Sequence, residues 1–401
     1  MKDVITDDKI IEKLLTRGVE NVYPSTNFLR ELLLSGKRLR IYNGIDPTGP
    51  SLHLGHAIQL RKLKQFQDLG HEIVLLIGDF TAMIGDPTDK MATRVALTRE
   101  QVLDNARLYK EQASHFIKFD GENPASITHN SDWLAKMSFA DTINLSSKVT
   151  YAQTIKRDMF QQRIKEDKDL YLHEFLYPLL QGYDSVAMDV DGEIGGNDQT
   201  FNMLMGRDLM KKMKNKEKFV ITTKLLTDSI GKKMGKTEGN MVTLMDSPTE
   251  MYGKIMRWTD AMILPGLELC TDLSLEEVNK TREEINAGNN PKEAKMKLAR
   301  EILKTYYDEK AVEEAEGNFT KTFSEGGVPE DVAEAEAKEG MRLKELLAEN
   351  DLIKSASDFR RLIEEKAISL DGEKITDPNY TVIKDGVIKV GKKRFLKVVI
   401  K

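Results

Sequence analysis

Apolar positions change their period along the chain, and those changes mark out its elements. Residues 41–46 read as a short buried strand that Pro47 and Thr48 break. Leu54, Ile58, Leu63 and Phe66 then recur at helical spacing until Gly70 ends the run. A second strand-like run, Phe219-Val220-Ile221-Thr222-Thr223, precedes a glycine-rich stretch. Within 175–188, Leu176, Leu179, Leu180 and Tyr183 fall on one helical stripe expected in a core. Tyr177, Gln181 and Asp184, at i, i+4 and i+7, form a neighbouring polar stripe. By spacing alone that second stripe also fits an ordinary solvent face.

Further along, Ile255, Ile263, Leu267, Val278, Ile285, Leu298, Ile302 and Tyr306 supply apolar anchors for helices over 246–320. The following stretch, 316–340, is acidic, contains Gly326-Gly327 and Pro329 and has few large apolar residues, which is linker composition. Ser357 can cap a helix carrying Arg360, Arg361, Leu362 and Ile363, residues 368–370 read as a strand, and Asp371-Gly372 makes a hairpin turn.

Composition narrows the class. A chain of 401 residues with 40% hydrophobic content suggests two to four compact units with real cores, and a single cysteine, Cys270, argues against a disulfide framework. The N-terminus has no apolar run resembling a signal peptide, and no stretch is apolar over a membrane-spanning length, so a soluble, cytoplasmic protein without membrane contact is expected. The formal net charge of −5 is unevenly divided: residues 341–401 hold 14 Lys+Arg against 10 Asp+Glu, and the rest of the chain is acidic. The basic end is therefore the candidate nucleic-acid face.

Two clusters carry the chemistry. His53-Leu54-Gly55-His56 stands at the strand-to-helix junction after Gly44-Ile45-Asp46-Pro47-Thr48. Unpaired N–H groups and the positive end of the helix dipole favour an anion there, histidines add donors, and Gly55 lets a ligand approach the backbone. Alone, the pair also fits a helix start with two partly exposed histidines. A zinc pair lacks partners, and no metal site is expected. The second cluster, Lys232, Lys233 and Lys236 among glycines 231, 235 and 239, is a cationic loop that alone fits solvated surface. Together, at opposite ends of an α/β unit, the clusters suit a clamp for a nucleoside triphosphate that expels pyrophosphate.

HLGH and KMGKT, joined in order by GDFTAMIGDPT at 78–88, FLYPLLQGYDSVAM at 175–188 and EIGGNDQTFNMLMGRD at 193–208, carry a family likeness. The chain resembles class I aminoacyl-tRNA synthetases, specifically the bacterial tyrosyl-tRNA synthetases, from about residue 25 to the C-terminus. KMGKT departs from the usual KMSKS: Gly235 removes one hydroxyl and Thr237 keeps the other. The resemblance implies an α/β, Rossmann-like catalytic domain over 1–245, with a helical insertion near 130–180 that supplies a homodimer contact. It also implies an α-helical anticodon-side domain over 246–320, a linker over 321–340 and a small α+β S4-like RNA-binding domain over 341–401.

The family pattern also implies site roles. Tyr177, Gln181 and Asp86 match residues that meet the tyrosine ammonium, Asp184 and Tyr42 match partners of the phenol hydroxyl, and Gln199 matches a contact to the carboxylate region. Asp46, His53, Gly55, His56, Gly196 and Asp198 match positions lining ATP, with Asp46 also counted in the tyrosine pocket and Asp198 on ribose hydroxyls. Thr48 and His53 are expected near the γ-phosphate, with Lys233 and Lys236 closing over the triphosphate and Lys90 and Arg94 approaching the pyrophosphate. Mg²⁺ should accompany ATP, held mostly by phosphates and water. SASDFRRLIEEKAISLDGEKI at 355–375 resembles the S4 module, which makes Lys354, Arg360, Arg361 and Lys366 the candidate contacts to tRNA(Tyr). Asn43 and Glu193 have no assigned role.

The implied reaction is activation of tyrosine by ATP and transfer of the tyrosyl group to the 3′-terminal adenosine of tRNA. Three alternatives share parts of this pattern: a tryptophanyl enzyme, a nucleotidylyltransferase working without tRNA, and a non-catalytic RNA-binding paralogue.

Overall fold

The computed structural model describes residues 3–86, 97–227, 241–323, 334–350, 352–391 and 394–400. They fall into two compact units, Met1–Ser247 with Lys254–Tyr306 and Pro248–Gly253 with Tyr307–Lys401. Among the described residues, no helix is long and apolar enough to cross a membrane.

The first unit is built on a six-stranded sheet. Its strands are β1 (Val19–Tyr23), β2 (Arg40–Ile45), β3 (Glu72–Ile77), β4 (Ser126–His129), β5 (Gly192–Gly196) and β6 (Phe219–Thr223), in the order β1-β6-β5-β2-β3-β4. β2 to β6 run parallel, and β1 pairs antiparallel with β6 at one edge. Every residue of β6 is buried, and so are all but the first of β3. Strands covered on both faces lose the apolar–polar alternation of a half-exposed sheet and read as continuous hydrophobic runs.

The chain proceeds outward from β2 through β3 and β4, then returns to the other side of β2 for β5 and β6. In such sheets the ligand crevice opens beyond the carboxyl ends of the strands at this reversal. β2 and β5 pair only at Ile41↔Gly192 and Tyr42↔Glu193. Asn43 then bridges them, donating from Nδ2 to the Ile194 carbonyl at 2.8 Å.

The expected helix after β2 is present as Leu54–Asp68, and the striped segment lies in the helix Leu172–Met188, which packs on the helix Thr200–Lys214. Leu179 and Leu180 enter the core with Leu209 and Met210, and Tyr183 packs against it partly buried. The helices Ile263–Cys270, Leu275–Asn286 and Pro291–Leu303 belong to this same unit. Of the expected anchors, Ile255, Ile263, Leu267, Val278, Leu298 and Ile302 are buried, while Ile285 and Tyr306 are half-buried. Arg17 helps attach these helices: its guanidinium donates to the carbonyls of Glu268 at 3.0 Å and Thr271 at 2.8 Å, which favours a cation at a helix carboxyl end.

In the second unit, β9 (Ile368–Leu370), β10 (Glu373–Lys374), β12 (Gly386–Val390), β13 (Arg394–Ile400) and β7 (Glu334–Ala337) form a sheet ordered β10-β9-β12-β13-β7. The short strands β8 (Met341–Arg342) and β11 (Thr381–Val382) pair separately. Leu343, Leu346, Phe359, Leu362 and Ile363 pack beneath Ile368, Ile388, Val390 and Val398. Asp371 and Gly372, with φ of 48° and 88°, make the anticipated β9–β10 turn, since this hairpin type needs positive φ at both positions.

Two local readings change. β7 falls inside the stretch that composition reads as linker, 321–340. It pairs parallel with β13, burying Ala335 and Ala337 while Glu334 and Glu336 face outward; alternation carried by a small residue does not register as a hydrophobic run. The helix Ala356–Glu364 is capped by Ser355, whose Oγ accepts from the Asp358 N–H at 3.2 Å, and Ser357 lies inside it.

Candidate active site

At the helix start, His53 has extended backbone and occupies the N-cap position. Its Nδ1 accepts from the Gly55 N–H at 3.0 Å, and the His53 N–H donates to Nδ1 of His56 at 3.2 Å. The rings lie 3.9 Å apart. Because both Nδ1 atoms are acceptors, each neutral imidazole carries its hydrogen on Nε2, and each is a donor there. Gly55 has a more local purpose than ligand access: a Cβ at that position would stand 2.8 Å from the His53 ring. The cap and the candidate anion site are thus one construction. Leu52 and Leu54 are tied to the segment beyond residue 240 by the hydrogen bonds Leu244 N–H to Leu52 O at 2.9 Å and Leu54 N–H to Val242 O at 3.1 Å.

Beyond the carboxyl end of β2, Asp46 accepts from the Tyr177 hydroxyl at 2.8 Å and from Thr81 Oγ1 at 2.7 Å. Burial, then the nearby Asp46 charge, raises the Tyr177 pKa well above the ordinary phenol value, so it remains a donor. Gly78 makes room for this cluster, since a Cβ there would sit 2.0 Å from Asp46 Oδ1. Thr48 follows Asp46 in a tight turn, its N–H donating to the Asp46 carbonyl at 2.8 Å.

The polar stripe faces inward. Tyr177 and Asp184 are buried and Gln181 is half-buried. Asp184 accepts from Trp133 Nε1 at 2.8 Å and from Asn130 Nδ2 at 3.3 Å. Burial raises its pKa well above the carboxylate range, the Trp133 and Asn130 N–H groups act in the opposite sense, and the Asp46 and Glu193 charges add to the rise. Tyr42, fully buried, lies 2.9 Å from Ser185 Oγ through its hydroxyl. Gln181 donates from Nε2 to Glu193 at 3.1 Å.

A third group adjoins the end of β5. Asp86 accepts from Arg157 at 3.1 Å and from Gln199 Nε2 at 2.8 Å, while Asn202 donates to Gln199 Oε1 at 2.9 Å. Asp86 is thus paired with a buried guanidinium, Arg157, that the sequence pattern did not single out. Gly196 ends β5, and Asp198 and Gln199 occupy the 3₁₀ turn Asn197–Gln199 that follows it.

The structure thus sets Asp46, Thr48, His53, Gly55 and His56 after β2 and Gly196, Asp198 and Gln199 at the end of β5, with Asp86 bonded to Gln199, Tyr177 to Asp46 and Gln181 to Glu193, Asp184 on the same helix as Tyr177 and Gln181, and Tyr42 within β2. Lys90, Arg94, Lys233 and Lys236 lie outside the described residues. Sequence reading missed Asn130, Trp133, Arg157, Ser185 and Lys218. Lys218 had no legible signal: it is the last of the charged run Lys216-Glu217-Lys218 before Phe219, and only the structure shows that it is the buried one. Among the described residues, no group of three His, Cys, Asp or Glu side chains could hold a metal ion.

Residues 34–324 match the family model for class I tRNA synthetases (W and Y), and residues 323–398 match the model for the tyrosine–tRNA ligase SYY-like C-terminal domain. The tyrosine–tRNA ligase of Desulfotalea psychrophila is 43% identical over 396 residues, covering 96% of this chain and 97% of the relative. The chain belongs to the tyrosine–tRNA ligase family. The family member from Carboxydothermus hydrogenoformans is 42% identical over 402 residues, with 96% of this chain and 97% of that protein covered. In three dimensions, a C-terminally truncated mitochondrial tyrosyl-tRNA synthetase of Coccidioides posadasii superposes with a TM-score of 0.62 at 25% identity, covering 77% of this chain and 91% of that one. The tyrosyl-tRNA synthetase of Archaeoglobus fulgidus, solved with L-tyrosine, shares the fold at a TM-score of 0.61 and 21% identity, covering 78% of this chain and 100% of the other.

Candidate contacts to RNA lie in the second unit. Lys354, Arg360, Arg361 and Lys366 are exposed on and around the helix Ala356–Glu364. Arg361 already pairs with Asp358 at 2.7 Å and Glu365 at 2.9 Å, whereas Arg360 makes no ion pair among the described residues.

Proposed function

We propose that this chain activates L-tyrosine with ATP in the crevice between β2 and β5 and transfers the tyrosyl group to tRNA(Tyr). The observation that carries this reading is the buried polar stripe of Tyr177, Gln181 and Asp184, which turns toward Asp46, Glu193 and Trp133 instead of solvent. Desolvating three polar side chains on one helix is unfavourable unless they have partners or a polar ligand to meet. Asp184 and Tyr42 receive the phenol hydroxyl. Tyr177, Gln181 and Asp86 receive the ammonium, and Gln199 borders the carboxylate.

The tyrosine carboxylate attacks the α-phosphorus of ATP, forming a carboxyl–phosphate bond as the bond to pyrophosphate breaks. A ribose hydroxyl of the tRNA 3′-terminal adenosine then attacks the carbonyl and releases AMP. Catalysis comes from positioning and from donors aimed at charge developing on the leaving pyrophosphate. His53 and His56 offer Nε2–H groups at a helix amino end, where an anion is favoured. Asp198 meets the ribose, Lys90, Arg94, Lys233 and Lys236 supply positive charge at the phosphates, and Mg²⁺ travels with ATP.

Lys354, Arg360, Arg361 and Lys366 contact tRNA phosphates. A homodimer forms through the segment 130–180, a reading supported by the exposed apolar side chains of Phe139, Ile143 and Leu172. The protein works in the cytoplasm. ATP–pyrophosphate exchange with tyrosine, tryptophan and phenylalanine tests the whole reading: exchange should require tyrosine, and equal or greater exchange with tryptophan would overturn it.

A further inference from the structure

Beneath the proposed tyrosine pocket lies an ion pair between Lys218, outside the family motifs, and Glu193, which opens one of them without an assigned role. Lys218, the residue before β6, is fully buried with its ammonium 5.7 Å from the centre of the Tyr42 ring. It pairs with Glu193 and donates to Ser185 Oγ at 2.8 Å. Ser185 in turn shares its hydrogen bond with the Tyr42 hydroxyl, and the second oxygen of Glu193 accepts from Gln181.

The directions in this network are forced by its charged members. An ammonium only donates and a carboxylate only accepts. Ser185 Oγ therefore accepts from Lys218, and between Ser185 and Tyr42 either hydroxyl can donate. Burial, then the Glu193 charge, raises the Tyr42 pKa well above the ordinary phenol value, so the hydroxyl stays protonated. Gln181 must turn its NH₂ toward Glu193, which leaves its carbonyl oxygen as the group presented elsewhere. An ammonium can be met only by an acceptor, so this amide orientation is the useful one.

A buried ion pair is a poor device for stability alone, because well-packed apolar residues of similar volume serve as well or better. The surroundings are also shaped for it: a Cβ on Gly206 would stand 2.7 Å from Lys218 Nζ.

We propose that Lys218 is a positioning residue for amino-acid recognition: paired with Glu193, it orients Tyr42 at the phenol end and Gln181 at the ammonium end of bound tyrosine. This rests on the assignment of Tyr42 and Gln181 to the tyrosine pocket. Two ends of one substrate are thus set by a single charge pair that touches neither.

The test uses the full chain and ATP–pyrophosphate exchange, with tyrosine, phenylalanine and ATP each varied. Lys218→Met combined with Glu193→Gln removes both charges together and avoids a lone buried ion. It should raise KM for tyrosine about tenfold and lower the tyrosine-to-phenylalanine preference, with KM for ATP and kcat within about twofold of the parent. Ser185→Ala keeps the ion pair and cuts only its link to Tyr42, so it should lower the preference without altering KM for ATP, and it serves alone if the double variant does not fold. Unchanged tyrosine KM and preference in the double variant, or an unchanged preference in Ser185→Ala, would overturn the role of Lys218. Tyr42→Phe and Gln181→Met are the controls: if they also leave tyrosine KM and preference unaltered, the pocket assignment itself fails, whereas a response in these controls alone confines the failure to Lys218.

Discussion

Trp133 donates its indole N–H to Asp184 across 2.8 Å, joining the short helix Ser131–Leu134 to the carboxyl-terminal part of the long helix Leu172–Met188. Trp133 also packs against the cluster of Tyr42, Val74, Leu76, Met188 and Val190. On the proposed assignment of Asp184 to the phenol hydroxyl, a substrate without that hydroxyl leaves the fixed carboxyl group underpaired. Such an unmade buried hydrogen bond costs about 1–3 kcal/mol, and more when the group is charged. The principle is the known basis of tyrosine selection over phenylalanine in tyrosyl enzymes, for which this family is the standard example.

Asp184→Asn and Tyr42→Phe are therefore expected to reduce the preference for tyrosine over phenylalanine by roughly tenfold or more while changing KM for ATP little. Exchange assays with both amino acids measure it. Intact discrimination in both variants would remove these residues from the phenol site.

His53 caps its helix and is proposed to meet the phosphates, and substitutions can divide the two. Asparagine is a good N-cap and alanine is not, a difference of about 1 kcal/mol in stability. His53→Asn should keep the parent's denaturation midpoint, His53→Ala should lower it, and both should slow single-turnover adenylate formation by on the order of a hundredfold. A His53→Asn protein with the parent's rate would assign the histidine to capping alone.

The C-terminal sheet should be separable from activation. Ending the chain after Phe323 keeps the first unit and removes the sheet that contains β7, so tyrosine-dependent exchange should persist while tRNA charging at limiting tRNA falls steeply. Arg360→Ala should give part of that loss, with the deficit largest at low salt and shrinking as salt is raised. Undiminished charging by a folded truncated chain would contradict a tRNA role for this unit.

His71 makes stability pH-dependent. It is fully buried, accepts from the Leu39 N–H at 3.3 Å, and burial, then the Arg38 charge, lowers its pKa from 6.5 to about 4. Above pH 6.5 the ring is neutral in folded and unfolded chains alike. Between 6.5 and 4 only the unfolded chain takes up the proton, so stability falls with pH, by at most about 3 kcal/mol. Urea midpoints at pH 7 and pH 5 should differ more for the parent than for His71→Gln; equal differences would exclude His71 as a source.

Much of the fold and part of the site were legible in the order of residues. The strand-to-helix junction at His53, the strand Phe219–Thr223 and the Asp371-Gly372 hairpin each depend on near neighbours, because backbone periodicity, caps and positive φ are set within a few positions. The motifs likewise identified the family, since their spacing is written in the chain. What only tertiary structure decided was the surroundings of each polar group. Whether Tyr177, Gln181 and Asp184 faced water or a pocket depended on Trp133, Asn130, Glu193 and Asp46 closing over them from other elements. Lys218 and Glu193 meet 25 positions apart, and Arg157 reaches Asp86 across 71. A local pattern states what a side chain can offer; its burial, its partner and hence its charge and orientation are set by distant segments that pack against it.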